Sequence, residues 1–424
     1  MKKLTLAIFI AASASAQPVV APTNAPLGTA RGEDFSGYNI TNSFETGYRF
    51  RSVGGDLGKY RSDVNFGNGV RLLSGNLTVN SKEGHGQYFD ELLISTQGLG
   101  NDPYQYSSVR LQKNRLYRYD MTMRTNDYFN PALPLASGQH FQNTRKGLSD
   151  HSIVLLPNGP FRLFAGYSRV GQDGPALSTT SLSNARGDEF PLFTDVRRTQ
   201  NEYRFGFEVS LLGAKLSVLR SWEYFKDDTR RTSGPSPGNN PLDEEALTSF
   251  RRDEPYHGST KSWRANLLWD KLKYVTLNGR FTYSGGRRNF IFDESSASTA
   301  RFAGTQNRQV LVFGSGRRPV TTAAITTSFY PASTLTITNN TAYHNIRIDG
   351  DARYSQLDNA SLSFQTLEFQ YLGIRTFTSS TDANYRPSKT FGLFGGYQFS
   401  TRRVRSIQQS SFENIADRLA FDQT

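Results

Sequence analysis

Tyr203-Arg204-Phe205-Gly206-Phe207-Glu208-Val209-Ser210-Leu211 decides the fold. Its odd-numbered residues are aromatic or aliphatic; the even-numbered ones between them are charged or small. A period of two marks an extended strand with one apolar and one polar face. A helix would need apolar residues three and four apart, a spacing that here pairs Tyr203 with Gly206 and Phe207 with Ser210. The length also suits a tilted strand crossing a bilayer, which takes roughly 9–11 residues.

The alternation recurs on both sides of this stretch. Tyr117, Tyr119, Met121 and Met123 oppose Arg118, Asp120, Thr122 and Arg124; Val275, Leu277, Phe281 and Tyr283 oppose Thr276, Asn278, Arg280 and Thr282. Phe391, Leu393, Gly395, Tyr397 and Phe399 repeat it. The whole chain then divides into fifteen segments: 40–50, 70–79, 88–96, 104–112, 115–124, 150–156, 161–170, 200–211, 214–225, 260–269, 274–284, 319–329, 334–347, 367–385 and 389–402.

The connections carry separate information. Short ones fall at Lys113-Asn114, Pro157-Asn158-Gly159-Pro160, Leu212-Gly213, Asp270 to Lys273, Tyr330-Pro331-Ala332-Ser333 and Arg386-Pro387-Ser388. Between them lie long polar stretches at 125–149, 171–199, 226–259, 285–318 and 348–366. Tight turns alternating with long loops are the habit of outer-membrane barrels; a sandwich or propeller has no reason to sort its loops by parity. The expected fold is therefore all-β, an antiparallel transmembrane β-barrel of about 15–16 strands, spanning 38–402. Single-chain bacterial barrels have even strand counts. A fifteenth strand makes residues 403–424 an extracellular loop or the start of a missing closing strand, and the expectation is a chain that stops short of closure.

At the other end, Lys2 and Lys3 precede an apolar run from Leu4 to Ala12 and an Ala14-Ser15-Ala16 site. That order predicts a cleavable signal peptide over 1–16, too short to span, and hence export to the bacterial outer membrane. Residues 17–37, with Pro18, Pro22 and Pro26, are expected to form a periplasmic lead-in. They are too few for the globular plug of an energised transporter.

Composition agrees. The chain is 13% aromatic and only 20% charged, with 37 Gly. Without cysteine it holds no disulfide, thiolate metal site or covalent haem. A net charge of +12 suits anionic partners, and export argues against nucleic acid.

The alternation also nominates sites. Arg118, Asp120, Arg124, Arg204, Glu208, Arg264 and Arg280, with Asp270 at a strand end, fall on the polar faces. They would line a lumen with an anion preference, or brace the wall as cross-strand ion pairs. Arginine doublets at Arg197-Arg198, Arg230-Arg231, Arg251-Arg252, Arg287-Arg288, Arg317-Arg318 and Arg402-Arg403 fall at strand ends or in the long connections. Those at 230, 251 and 287 are candidate contacts for lipopolysaccharide phosphates; the plainer expectation is solvated loop charge. Tyr48, Phe50, Tyr117, Trp222, Tyr224, Trp263, Trp269, Tyr274, Tyr283, Phe329, Tyr385 and Phe399 sit where interfacial aromatic girdles belong. His85, His140, His151, His257 and His344 lack metal-ligand spacing, and no nucleotide-binding or hydrolase motif is present. No catalytic, cofactor or metal residue is assigned, and no enzyme activity is expected.

Phe44-Glu45-Thr46-Gly47-Tyr48-Arg49, Gly54-Gly55, Tyr60-Arg61 and Gly98-Leu99-Gly100-Asn101-Asp102-Pro103-Tyr104, within about 38–130, carry a resemblance. They are similar to the β-barrel component of porin–cytochrome electron conduits. The resemblance implies a wide barrel serving as a sheath around a multihaem cytochrome, with the haems belonging to the partner. It assigns no role to a single residue. Two other functions stay open from sequence: a diffusion porin or solute channel leaning towards anions, and a secreted soluble β protein or adhesin.

Overall fold

The computed structural model describes residues 32–135, 138–181, 189–238, 245–300, 304–414 and 419–423. The expected signal segment and most of the lead-in lie outside them. The described chain is almost entirely antiparallel strand, in one sheet of twenty strands. Their order is β1 (Glu33–Phe35), β2 (Tyr38–Arg49), β3 (Gly69–Ser81), β4 (Glu91–Gly100), β5 (Tyr104–Lys113), β6 (Tyr117–Leu135) and β7 (Gly138–Leu155). Next come β8 (Phe161–Thr180), β9 (Phe190–Leu211), β10 (Ala214–Asp227), β11 (Arg230–Ser233), β12 (Ala246–Asp253), β13 (Tyr256–Trp269) and β14 (Val275–Ala300). The series ends with β15 (Gly304–Arg317), β16 (Val320–Ala332), β17 (Leu335–Asp358), β18 (Ser361–Tyr385), β19 (Leu393–Asn414) and β20 (Leu419–Gln423). The single helix among the described residues, α1 (Leu57–Asp63), is capped by Asp56, whose side chain accepts the Gly58 and Lys59 N–H groups.

Nearly every strand pairs with its neighbours in sequence, an up-and-down meander. The exceptions are interruptions. β14 meets β13 and then β12 along one edge, β16 and then β15 along the other. β9 likewise meets β10 and then β11. Two of the breaks fall at Pro255 and Pro319, which lack the N–H that a central strand must donate. Their carbonyls still accept from Ile291 and Arg347, both at 3.0 Å. Merging β10 with β11, β12 with β13 and β15 with β16, and setting apart the short β1 and β20, leaves fifteen full-length staves. Each of the fifteen expected segments coincides with part of one of them.

The long connections differ from expectation. Most of 125–149, 171–199, 285–318 and 348–366 is strand, so β14 runs for 26 residues, β17 for 24 and β18 for 25. Such stretches look like loop because their apolar residues come in short runs, such as Phe290-Ile291-Phe292 and Val310 to Phe313, rather than alternating over a whole strand; neighbouring backbone supplies the pairing. What sequence parity detected is a difference between the two ends of the sheet. At one end every strand stops near the apolar stretch; at the other the strands run on. The boundary expected at 402 also moves: β19 continues to Asn414, and β20 returns along Ser410–Asn414. Part of the expected lead-in, Glu33–Phe35, forms a hairpin with the start of β2.

Register fixes two faces. One row runs Leu163–Phe207–Val218–Ala265–Phe281–Ala323–Tyr343–Phe377 across β8 to β18. A row of the reverse face runs Gly166–Arg204–Ser221–Ser262–Ser284. The apolar face is bounded by aromatics on both sides: Tyr117, Phe161, Trp269, Phe329 and Tyr385 at the short-turn end, Tyr167, Tyr203, Trp222, Trp263, Tyr283 and Tyr343 at the other. Tyr203 to Leu211 spans about 27 Å along the strand, or about 21 Å at a barrel tilt of ~40°.

No second layer covers this face among the described residues. Only seven of their hydrophobic side chains are buried, and four of them (Phe190, Leu192, Leu247, Phe250) cluster on the extended end. Phe205 and Leu211, by contrast, are 52% and 66% exposed.

Candidate functional site

The polar face is the candidate site. All seven expected lumen residues occupy it: Arg118, Asp120 and Arg124 on β6, Arg204 and Glu208 on β9, Arg264 on β13 and Arg280 on β14. Between them the wall is lined by Ser108, Thr122, Ser152, Gly166, Ser217, Thr282, Thr326 and Ser380, all small. The charges divide into paired and unpaired. Asp120 takes Arg110 Nε and Arg118 Nε, each at 2.7 Å. Glu208 takes Arg162 and, at 3.1 Å, Lys215 Nζ. Arg204 meets Asp150. Arg124 lies over the Tyr106 ring, 5.7 Å from its centroid. Arg264 and Arg280 are exposed, with no carboxylate within reach among the described residues. Both expectations therefore apply, each to different residues: cross-strand bracing to the first group, free cationic charge to the second.

Sequence reasoning missed the partners Arg110, Asp150, Arg162 and Lys215. Their alternation parity matches the polar face, but Arg110 and Asp150 lie in 104–112 and 150–156, which alternate too weakly for parity to stand out, and Arg162 and Lys215 sit at the very starts of their segments.

The arginine doublets change meaning. Arg230, Arg231, Arg251, Arg252, Arg287 and Arg288 all sit in strands rather than loops. Consecutive strand residues point to opposite faces, so no doublet can close on one phosphate. Arg230 pairs with Asp253 at 3.1 Å, Arg231 with Glu254 at 2.5 Å, and Arg288 with Glu223 at 3.3 Å. Arg252 reaches Glu294 at 2.5 Å, and Arg251 donates through Nε to Asp253 at 2.7 Å. Arg287 donates to Ser315 Oγ at 2.8 Å. Apart from Arg251–Asp253, which lies within β12, these contacts bind the extended strands to one another.

The motif Gly98 to Tyr104 builds the β4–β5 corner. Gly98 and Gly100 adopt φ of +70° and +113°, and a Cβ there would stand 2.5 Å from Tyr104 O and 2.7 Å from Val70 O. Glycine is required at both positions. Asp102, buried, accepts from Arg49 at 2.8 Å and from the buried Arg71. One carboxylate thus anchors two strands to the corner.

His151 lies on the apolar face, hydrogen-bonded to the Tyr119 hydroxyl at 2.8 Å. Among the described residues no group of three His, Asp or Glu side chains is placed to hold a metal ion. No helix among them is long and apolar enough to cross a membrane, which says nothing of strands.

No protein-family model matches the chain, and no curated protein matches it. What the fold defines is a class: an all-β protein built as one antiparallel, up-and-down, barrel-like sheet with an apolar and a hydroxyl-lined face.

Proposed function

We propose that this chain is the wall of an outer-membrane β-barrel whose wide lumen sheathes a periplasmic electron-transfer partner, a multihaem cytochrome. The observation that carries the membrane reading is the apolar band. Contiguous exposed apolar patches above a few hundred Å² are rare on water-soluble monomers, and this band crosses more than ten strands with aromatics along both borders. Lipid is the solvent that suits it, with an expected apolar height of roughly 25 Å.

Size supports the sheath. Fifteen or sixteen strands about 4.8 Å apart, tilted by ~40°, give a circumference of roughly 100 Å and a diameter near 30 Å. Small Ser, Thr and Gly side chains cannot fill that space. The lumen therefore holds water or another protein, and a wall of hydroxyls and mostly paired charges suits an elongated polar partner. The resemblance at 44–49 and 98–104 supplies the partner class.

Purification from native membranes in mild detergent tests this directly. Haem absorbance co-eluting with the barrel is expected; a detergent-soluble barrel free of haem and of any lumenal protein overturns the sheath. One observation favours a second reading: the unpaired Arg264 and Arg280 suit a diffusion channel for anions, which would show defined conductance in planar bilayers.

A further inference from the structure

On the apolar face of β17, β18 and β19, the aromatic border ends at Tyr343 and Phe377, and charge follows at once. The next two rows are Asn345–Arg375–Arg403 and Arg347–Gly373–Arg405. All four arginines are exposed. Many arginines elsewhere on the extended strands have carboxylates: Arg145 with Asp127, Arg197 with Asp195, Arg230 with Asp253, Arg317 with Asp349. These four have none among the described residues. Asp349, opposite Tyr371 in the row beyond, is the carboxylate that Arg317 takes. Arg405 has only the Tyr371 ring, 5.8 Å away.

Arg375 and Arg403 stand directly opposite each other, an arrangement that destabilises a sheet when the charges are alike. The floor between Arg347 and Arg405 is Gly373, and the Tyr371 hydroxyl lies over it, 2.7 Å from where a Cβ would stand. Four guanidinium groups and a phenol are thus gathered on one patch with no carboxylate paired to them among the described residues. Guanidinium forks match phosphate oxygens two at a time. The patch also lies one step outside the apolar band, at the depth of lipid headgroups.

We propose that Arg347, Arg375, Arg403 and Arg405, with Tyr371, form a binding site for the phosphate groups of a membrane lipid. The inference rests on the apolar face being the lipid-facing one. It replaces the doublets at 230, 251 and 287, whose charges the protein largely neutralises itself.

The test is native mass spectrometry of the full chain in detergent, titrated with diphosphoryl lipid A, dephosphorylated lipid A and inorganic phosphate. Saturable adducts with diphosphoryl lipid A are expected, weakened at least tenfold in R375Q/R403Q and partly restored in R375K/R403K. Equal binding by the wild type and R375Q/R403Q overturns the site, as does equal binding of the dephosphorylated lipid. Competition by inorganic phosphate at concentrations comparable to the lipid overturns the lipid assignment. Circular dichroism of both variants checks that strand content is kept, and removing like charges is expected to preserve it. Insertion into phosphatidylcholine vesicles, read by resistance of the strands to protease, separates the two levels. A chain that fails to insert refutes the membrane reading; one that inserts but ignores the four arginines refutes the site alone.

Discussion

Arg220 lies over the Trp263 ring, its guanidinium carbon 4.6 Å from the centroid, on the apolar face at the height where the band ends. Trp222 flanks the same guanidinium at 5.2 Å. A cation held between two indoles at an apolar border is an interfacial arrangement, since each group has an apolar body and a polar tip. The chain has three tryptophans, and Trp269 lies on the opposite border. All three are therefore expected at shallow depth. In vesicles, lipids brominated near the headgroup should quench tryptophan fluorescence more strongly than lipids brominated at the chain ends. Strongest quenching by the deep bromines would contradict the two-border geometry.

Phe207 occupies the middle of the band, and Thr326 lies on the other face at a comparable height. Arginine facing lipid at the midplane of a barrel costs about 2–4 kcal/mol, whereas lumen positions tolerate charge. Phe207→Arg is expected to lower stability in lipid by that amount and Thr326→Arg by less than about 1 kcal/mol. Urea unfolding of the two variants in the same vesicles compares them. A reversed ranking would mean that the faces are assigned the wrong way round.

The difference between those two positions is legible in the sequence because period two is a local property: Tyr203 to Leu211 carries both faces within nine residues. The polar-face site is legible for the same reason, since Arg204 and Glu208 inherit their side from Phe205 and Phe207. Properties set by neighbours are not. That Arg204 meets Asp150 depends on how two successive pairings are registered, and that Arg230 is neutralised depends on Asp253 arriving from β12. Extended strands such as Ser284 to Ala300 also hide, because paired backbone needs no apolar residue to announce it.

Asn359 and Ala360 close the β17–β18 hairpin with φ of +48° and +66°. Two positive values identify the tight turn whose twist suits a hairpin, and alanine is a poor occupant of the second position. Its Cβ costs roughly 1–2 kcal/mol in that region, against about 0.5–1 kcal/mol of added chain entropy for glycine. Ala360→Gly should stabilise the hairpin by about 0.5–1 kcal/mol. The Asn359 N–H, bonded to Asn307 O at 2.8 Å, reports it. Its hydrogen exchange should slow by about two- to fivefold, since ~1.4 kcal/mol is tenfold. Faster exchange would show that the turn is not strained.

Asp90 ties together the turns at the other end of the sheet, accepting the N–H groups of Gly86 at 2.7 Å and Asn114 at 2.6 Å. Burial alone would raise its pKa, but those two N–H groups, with Lys113 and His85 nearby, outweigh burial and hold the carboxyl below its ordinary value. A carboxylate with a lowered folded-state pKa adds stability above its unfolded pKa and loses it as pH falls through the folded value. The contribution should be complete at pH 7 and fade below about pH 4. Asp90→Asn is expected to cost about 1.5–3 kcal/mol at pH 7, the worth of hydrogen bonds to a charged group, and to narrow its gap to the wild type by about pH 3. A gap that stays constant across that range would assign the loss to packing instead.

Arg264 and Arg280 are diagonal neighbours across β13 and β14, since Arg264 faces Thr282 and Asn266 faces Arg280. With no carboxylate beside them among the described residues, they add free positive charge to the polar face, while Arg204 is balanced by Asp150 and Arg118 by Asp120. The two kinds of arginine should therefore respond differently to neutralisation. Measured on the chain reconstituted alone, R264Q/R280Q should move the reversal potential in a salt gradient towards zero by removing an anion preference. R204Q should move it further towards cations for each charge removed, because Asp150 is left unpaired on the polar face. Equal shifts per charge in both variants would mean that ions passing along the wall do not distinguish paired from unpaired arginines, and that selectivity is set elsewhere.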